Sequence, residues 1–172
     1  TGIRPNSDWE DLVKGYREAV NALRALPVRT TAAPYLFLCR HLLELQLKAI
    51  IMLGQEAMEL VADLPSHHDL QRLWTAAYPI VLKFYGSSVA GLEGVRLVID
   101  EYHAADPTSI NFRYPVTKGN KRVTHESFMH SFSHRLHADS LAIAFDHLDQ
   151  TILRVRLAKL LRGFKEVDRG EA

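Results

Sequence analysis

The sequence predicts an all-α fold, a helical bundle of four to five main helices. Apolar residues recur at spacings of three and four over long segments, which is the period of an amphipathic helix. Residues typical of helix starts and stops bracket those segments. Hydrophobic residues make up 47% and charged residues 24% of the 172-residue chain, a composition typical of globular proteins. We therefore expect a single helical domain over residues 1–172.

The first two helices have clear boundary signals. Ser7 and Glu10 form a capping-box pattern, and the helix that follows is expected to end at Leu26-Pro27, because the residue before a proline avoids the helical region. The second helix is expected to start after Thr31 and to stop at Gly54. Its apolar residues cover nearly the whole circumference, which indicates a helix at the centre of the bundle.

The third and fourth helices are predicted from weaker signals. Ser66 and Asp69 resemble an N-terminal cap, and Pro79 is expected to end or kink the helix that follows them. The apolar residues 80–86 are then a candidate short helix. The fourth helix is predicted over Val89 to His103.

The remaining segments differ in character. Gly91 and Gly94 stand inside the pattern of the fourth helix and are most simply a point of close helix packing. Residues 105–125, approximately, contain two prolines and a Gly-Asn pair and are predicted to form one long irregular loop, with a short β-hairpin as the alternative. The final helix is predicted from about Ala138 to Phe164.

The charge is unevenly distributed along the chain. Residues 1–106 carry 10 basic and 13 acidic residues, whereas residues 107–172 carry 11 basic and 7 acidic residues. This difference is too small for strong non-specific binding of nucleic acid, which needs several phosphate contacts on one face. It is compatible with a local anion- or nucleic-acid-binding surface in the basic half, for which the candidates are Arg113, Lys118, Lys121, Arg122 and Arg135.

The single cysteine and the interrupted apolar segment predict a cytoplasmic protein without a membrane span. Cys39 alone excludes an internal disulfide and a cysteine-based zinc site, and we expect it to be a small buried apolar residue. The apolar stretch from Leu36 to Leu53 contains four ionisable groups, which would be costly in hydrocarbon. The opening residues show no apolar leader, so we expect no secretion signal.

The second helix also carries a polar stripe. Arg40, Glu44 and Lys48 stand at i, i+4 and i+8, and His41 lies beside Glu44 in the pattern. One interpretation is an exposed ladder of ion pairs, worth a few tenths of a kcal/mol per pair. The other is a polar surface that faces a cleft or a partner, because a central helix has little face to spare for solvent.

Two further fragments complete a candidate polar cluster. His68 and Asp69 precede the third helix, and Arg113 lies between Phe112 and Tyr114 in the long loop. We expect Arg113 to form an ion pair with Glu44, so that truncation of Glu44 destabilises the fold by several kcal/mol. The predicted cluster comprises Arg40, His41, Glu44, Lys48, His68 and Asp69.

These fragments together resemble the HEPN superfamily of prokaryotic helical domains. The resemblance is carried by Arg40-His41-Leu42-Leu43-Glu44-Leu45-Gln46-Leu47-Lys48, by His68-Asp69-Leu70 and by Phe112-Arg113-Tyr114-Pro115. It covers residues 30–115 by motif and the last helix by character. The resemblance implies a bundle that forms a homodimer and binds RNA, nucleotides or a protein partner such as an antitoxin, in a bacterial defence or toxin–antitoxin setting.

The resemblance also implies an alternative function, a metal-independent ribonuclease. Ribonuclease members of the superfamily use an arginine that is followed after four to six residues by a histidine. The one formal match is Arg96 to His103, in which Leu97 replaces the usual polar residue. A divergent catalytic set of Glu44, His68 and Arg113 is the other candidate. In either case the arginine would stabilise the phosphorane and the histidine would activate the ribose 2′-hydroxyl.

A histidine cluster gives a third hypothesis, a metal-binding protein. His130, His134 and His137 lie at i, i+4 and i+7 and would share one face of a helix. However, residues 127–134 alternate as a strand would, which would disperse these ligands. We therefore expect no metal and no cofactor, and the binding module remains the leading prediction.

Overall fold

In the computed structural model, residues 7–26, 28–85, 89–114 and 134–170 are described. These ranges contain five helices and no strand, so the predicted all-α bundle is confirmed. The helices are α1 (Ser7–Arg24), α2 (Val28–Ala57), α3 (Leu70–Tyr85), α4 (Val89–Ala105) and α5 (His134–Gly170).

Helix α2 lies at the centre of the bundle. It packs against α1, α3 and α5, and α5 packs in addition against α4. Every residue from Leu42 to Ile51 is buried, which covers all sides of the central part of the helix, and Leu36, Leu42 and Leu47 have no exposed surface. The prediction of a central helix is therefore confirmed, and Cys39 is buried within it as expected.

Gly54 does not end α2, contrary to the sequence prediction. The helix starts at Val28, earlier than expected, and continues three residues past Gly54 to Ala57. It ends in a Schellman motif, in which the Leu60 amide donates to the Gln55 carbonyl and Glu59 adopts a left-handed φ of 59°. Gly54 instead gives room to Ile80, since a Cβ at this position would lie 2.4 Å from the Ile80 Cγ2 atom.

Pro79 does not end α3 either. The helix runs without interruption to Tyr85, and the segment predicted as a separate short helix is its last part. Burial of Ile80 and Val81 holds the residues after the proline in the core. At the start of α3, the Asp69 carboxylate accepts a hydrogen bond of 3.0 Å from the Arg72 amide, so Asp69 caps the helix as predicted.

The contact between α4 and α5 involves one of the two glycines of α4. A Cβ at Gly91 would lie 2.7 Å from the His147 ring, whereas a Cβ at Gly94 would meet no atom within 4 Å. The predicted packing point is therefore Gly91 alone. In the segment predicted as a long loop, residues 107–113 form turns, and residues 115–125 lie outside the described residues, so the hairpin alternative stays a prediction there. None of the helices in the described ranges has the length and apolar character needed to cross a bilayer.

Candidate functional site

The polar stripe of α2 forms a buried ladder of ion pairs. Glu44 Oε2 accepts a hydrogen bond of 3.1 Å from Arg40, and Glu44 Oε1 accepts one of 3.0 Å from Lys48. The exposed fractions of Arg40, Glu44 and Lys48 are 0%, 2% and 8%. The ladder predicted from the spacing is present, but it lies in the interior of the bundle instead of on an exposed face.

Arg40 connects this ladder to the two segments that flank the site. Its Nη2 atom donates to the His68 carbonyl at 2.7 Å, and its Nε atom donates to the Asp106 carbonyl at 2.9 Å. Burial lowers the pKa of Arg40, while the nearby carboxylates of Asp106 and Glu44 oppose that change. One buried guanidinium therefore holds the backbone in place at two points, His68 before the α3 cap and Asp106 after the end of α4.

His68 is the part of the cluster that reaches solvent. Its Nδ1 atom lies 2.7 Å from Glu44 Oε1, and 53% of its side chain is exposed. Burial alone would raise the pKa of Glu44, but the hydrogen bonds from Lys48 and His68 outweigh it and lower the pKa. The carboxylate of Glu44 is thus held ionised beneath the imidazole and fixes its orientation, with Nε2 as the ring nitrogen away from Glu44.

A second histidine lies beside the same segment. His103 Nδ1 is 3.6 Å from the Asp69 carboxylate, too far for a hydrogen bond, and this buried nitrogen has no hydrogen-bond partner among the described residues. Asp69 is adjacent to His68 in the chain and caps α3. The two imidazoles, His68 and His103, therefore lie at the same end of the bundle, at the start of α3.

The prediction that Arg113 forms an ion pair with Glu44 is wrong, because Arg113 contacts other residues. The Arg113 guanidinium lies over the Phe37 ring, 5.1 Å from its centroid, and donates to Ser109 Oγ at 3.0 Å. Glu44 is satisfied by Arg40 and Lys48 of its own helix and by His68. Cations four residues away on a helix reach Glu44 without any loop ordering, which explains why they take the place predicted for Arg113.

His41 lies beside the cluster and forms no hydrogen bond to it. Its ring is stacked on Phe37 and meets Tyr16 edge-on, with ring centroids 5.8 Å and 4.7 Å away. Burial lowers the pKa of His41; Glu44 opposes this, and the positive charges of Arg113, Arg40 and Lys48 add to it. The position is that of a neutral packing residue.

The structure gives Arg96 a local set of partners. Its guanidinium binds both carboxylate oxygens of Glu93 and, through Nη1, the Asp100 carboxylate at 2.7 Å. Arg96 and His103 share a side of α4, but seven residues separate them by about 10 Å along the axis. Asp100, which also accepts a hydrogen bond from Gln71, lies between the two. Arg96 is thus neutralised by carboxylates and is not joined to His103.

Most of the other candidate ligands lie outside the described side chains. This applies to Lys118, Lys121, Arg122 and His130, and to the side chains of Arg135, His134 and His137, whose backbone forms the start of α5. Among the described residues, no group of three histidine, cysteine, aspartate or glutamate side chains is arranged to hold a metal ion.

Sequence reasoning missed Asp106 as a member of the cluster. Its Oδ1 atom accepts the amides of Ile110 and Asn111, and its Oδ2 atom lies 3.7 Å from Arg40 Nε without a hydrogen bond. The side chain is fully buried. The available signal is the position of Asp106 between an apolar helix and Pro107, and by itself that position indicates only a helix end.

Comparisons of the chain with protein-family models, curated proteins and solved structures found no match. The protein is an all-α bundle. Its candidate site is the half-exposed His68, which is held by the buried charged cluster of Arg40, Glu44 and Lys48.

Proposed function

We propose that this chain is a HEPN-like helical domain that binds RNA or a nucleotide, as a module of a bacterial defence or toxin–antitoxin system. In this proposal the phosphate of the ligand is bound at the start of α3, beside His68 and His103. The observation that carries the proposal is the hydrogen bond between the exposed His68 ring and the buried Glu44 carboxylate.

The cost of the buried cluster supports a functional role. Transfer of several charges out of water is expensive, and well-packed apolar residues would often serve stability equally well. Buried, mutually perturbed charges next to an exposed titratable group are typical of functional sites. Here the cluster orients one exposed histidine, and the imidazolium form of its ring can donate a hydrogen bond to a phosphate oxygen through Nε2.

The electrostatic surroundings also favour an anion. Lys48 and Arg40 flank Glu44, and Arg113 lies close enough to affect the same region. Burial is the largest cause of the lowered pKa of His41; Glu44 opposes this change, and the positive charges of Arg113, Arg40 and Lys48 add to it. In the proposal, these three cations attract an anion to this end of the bundle.

The direct test is binding of a fluorescently labelled single-stranded RNA, followed by anisotropy at low and moderate salt. His68→Ala is expected to weaken binding by about tenfold, the loss of one hydrogen bond to a charged group. His67→Ala is the matched control, because His67 is adjacent in the chain but its Nδ1 atom has no hydrogen-bond partner among the described residues. Equal binding by the wild type and His68→Ala would contradict the proposal.

A second candidate function, a metal-independent endoribonuclease, is favoured by the orientation of His68. A carboxylate that holds one ring nitrogen leaves the other free to take a proton from a ribose 2′-hydroxyl. The 2′-oxygen would then attack the adjacent phosphorus, and the 5′-oxygen would leave with a proton from an acid such as His103. Cleavage of RNA in EDTA that is lost in His68→Ala or His103→Ala would support this function. Absence of cleavage by the wild type would leave the binding module.

We also propose that the domain is a homodimer, with α5 as its contact. On the side of α5 opposite the core lies a row of leucines that are 48–62% exposed: Leu153, Leu157, Leu160 and Leu161. Exposed apolar rows of this kind often mark protein interfaces. The occupant proposed for this row is a second copy of the chain.

The charged side chains of α5 are already paired within the chain. Asp139 and Asp146 bind Arg24 and Arg17, and the half-exposed cations Arg156, Lys159 and Arg162 bind Glu10, Glu56 and Glu59. The proposed contact between two copies is therefore apolar. In a two-fold symmetric pair of α5 helices, the leucine row of each copy would pack against the row of the other.

A further inference from the structure

A pocket lies between α3 and α4, on the same side of the bundle as Asp100. Its volume is about 340 Å³, within the usual range for sites that hold small molecules. The lining residues are Trp74, Thr75, Tyr78, Leu92, Glu93 and Arg96. An aromatic, apolar floor thus meets a charged rim in one concave site.

The floor of the pocket suits a flat ring. The rings of Trp74 and Tyr78 are 5.3 Å apart and tilted by 55°, and 38% of Tyr78 is exposed. Trp74 and Leu92 are buried and give a fixed apolar surface beneath. Aromatic side chains in such positions stack nucleobases, because every base has a π-face.

The rim of the pocket supplies a hydrogen-bond acceptor. Each carboxylate oxygen of Glu93 accepts one hydrogen bond from Arg96, and 54% of the Glu93 side chain is exposed. A carboxylate has about four lone-pair sites, so Glu93 retains acceptor capacity toward the pocket. An exocyclic amino group on a bound ring could donate to it.

The pocket and the proposed phosphate site lie along the same two helices, α3 and α4. Gln71 and Asp100 are hydrogen-bonded to each other across α3 and α4, between the pocket and the Asp69–His103 contact. From Arg96 to His103 the distance along α4 is about 10 Å. A nucleotide could therefore lie along the α3–α4 groove, with its phosphate near His103.

We infer that this pocket binds a purine base that carries an amino group, with the ring against Tyr78 and Trp74 and the amino group donating to Glu93. This inference rests on the proposed function in one respect, which is that the base belongs to RNA or to a nucleotide. A fused ring system covers more of the aromatic floor than a pyrimidine does. A purine is therefore expected to bind more tightly than uridine.

The test uses nucleosides, which carry no phosphate and so report on the pocket alone. Guanosine, inosine and uridine are titrated into the ¹⁵N-labelled protein, and the indole N–H resonance of Trp74 is followed, with that of Trp9 as an internal control. Inosine differs from guanosine only by the missing amino group. Guanosine is expected to bind about tenfold more tightly than inosine.

Two variants locate the site. Tyr78→Leu is expected to abolish guanosine binding, whereas Tyr114→Leu, which removes another exposed tyrosine, should leave it unchanged. Glu93→Ala changes a side chain that is 54% exposed, and it should remove the difference between guanosine and inosine. No shift of the Trp74 resonance, or shifts unaffected by both Tyr78→Leu and Glu93→Ala, would overturn the inference.

The experiments distinguish between failure of the proposed base pocket and failure of the proposed phosphate site. RNA binding that depends on His68 without any guanosine binding would refute the pocket alone. Guanosine binding in a protein whose RNA binding does not depend on His68 would support the pocket and refute the phosphate site.

Discussion

Glu44 has three polar partners around a single buried carboxylate. Arg40 and Lys48 reach it from one turn before and one turn after, and His68 reaches it from the segment before α3. Because the cluster contains more than one cation, the loss of this carboxylate leaves like charges buried together. Glu44 is therefore the residue on which both the stability and the proposed function of the site depend most.

Glu44→Gln is expected to lower the free energy of unfolding by about 3–5 kcal/mol, the usual effect of removing one partner from a buried ion pair. Urea unfolding followed by circular dichroism measures this change. The matched control is Glu93→Gln, which breaks an exposed ion pair with Arg96 at similar spacing and should leave the unfolding midpoint almost unchanged. Similar midpoints for the two variants would refute the importance of burial.

The stability of the fold is expected to fall on acidification in two ranges. Burial lowers the pKa of His41 below 6.5, so the stability from its neutral ring is complete above pH 6.5 and is lost as the pH falls through the lowered pKa. Glu44 has a pKa below 4.5, so its contribution is complete above pH 4.5 and is lost at lower pH.

His41→Phe isolates the first of these ranges. The variant should flatten the dependence of the unfolding free energy on pH between about 6.5 and 4.5. A residual slope is expected from His67, because burial also lowers its pKa. Urea unfolding at several pH values measures the slope, and an unchanged slope in His41→Phe would show that this ring does not titrate with folding.

The sequence predicted the members of the site better than their contacts. Spacings of four residues on one helix determine that Arg40, Glu44 and Lys48 are neighbours, so this ladder was predictable. The contact of Glu44 with His68 joins residues 24 positions apart and depends on how α3 packs on α2. The position of Arg113 also depends on packing, which explains why the predicted pairing with Glu44 was wrong.

At the scale of the elements, helix existence was predictable and helix ends were less so. The periodic apolar positions of all five helices depend only on local sequence. The end predicted at Gly54 was wrong, and α3 does not end at Pro79, where an end or a kink was predicted. Packing against neighbouring helices stabilises both helices beyond these residues. Both residues lie where α2 and α3 pack against each other, because Gly54 of α2 faces Ile80, the residue that follows Pro79 in α3.

Replacement of helical glycines tests this explanation. Gly54→Ala should destabilise the protein by about 1–3 kcal/mol, because the added Cβ would overlap the stiff, buried Ile80 side chain. Gly94→Ala is the control, where the open surroundings should allow a gain of about 0.5–1 kcal/mol from helix propensity. Chemical unfolding of both variants measures the two changes in the free energy of unfolding. An increase in Gly54→Ala would contradict close packing between Gly54 and Ile80.

At the scale of the whole molecule, the leucine row of α5 predicts the association state. Leu157→Glu should convert the proposed homodimer into a monomer, because it places a charge in the centre of the apolar contact. Light scattering after size-exclusion chromatography measures the mass. Leu97→Glu changes a leucine of similar exposure on α4 and should leave the mass unchanged. A wild-type protein that is monomeric at high concentration would refute the proposed contact.

In the proposed binding mode, RNA lies along the α3–α4 groove, with His68 and His103 at one end and the Trp74–Tyr78 pocket at the other. Backbone-amide NMR of the ¹⁵N-labelled protein, titrated with a short single-stranded RNA, tests this mode most directly. The largest shift changes are expected at residues 67–75 and 92–103. Changes confined to α1 and α5, or no changes at all, would contradict it.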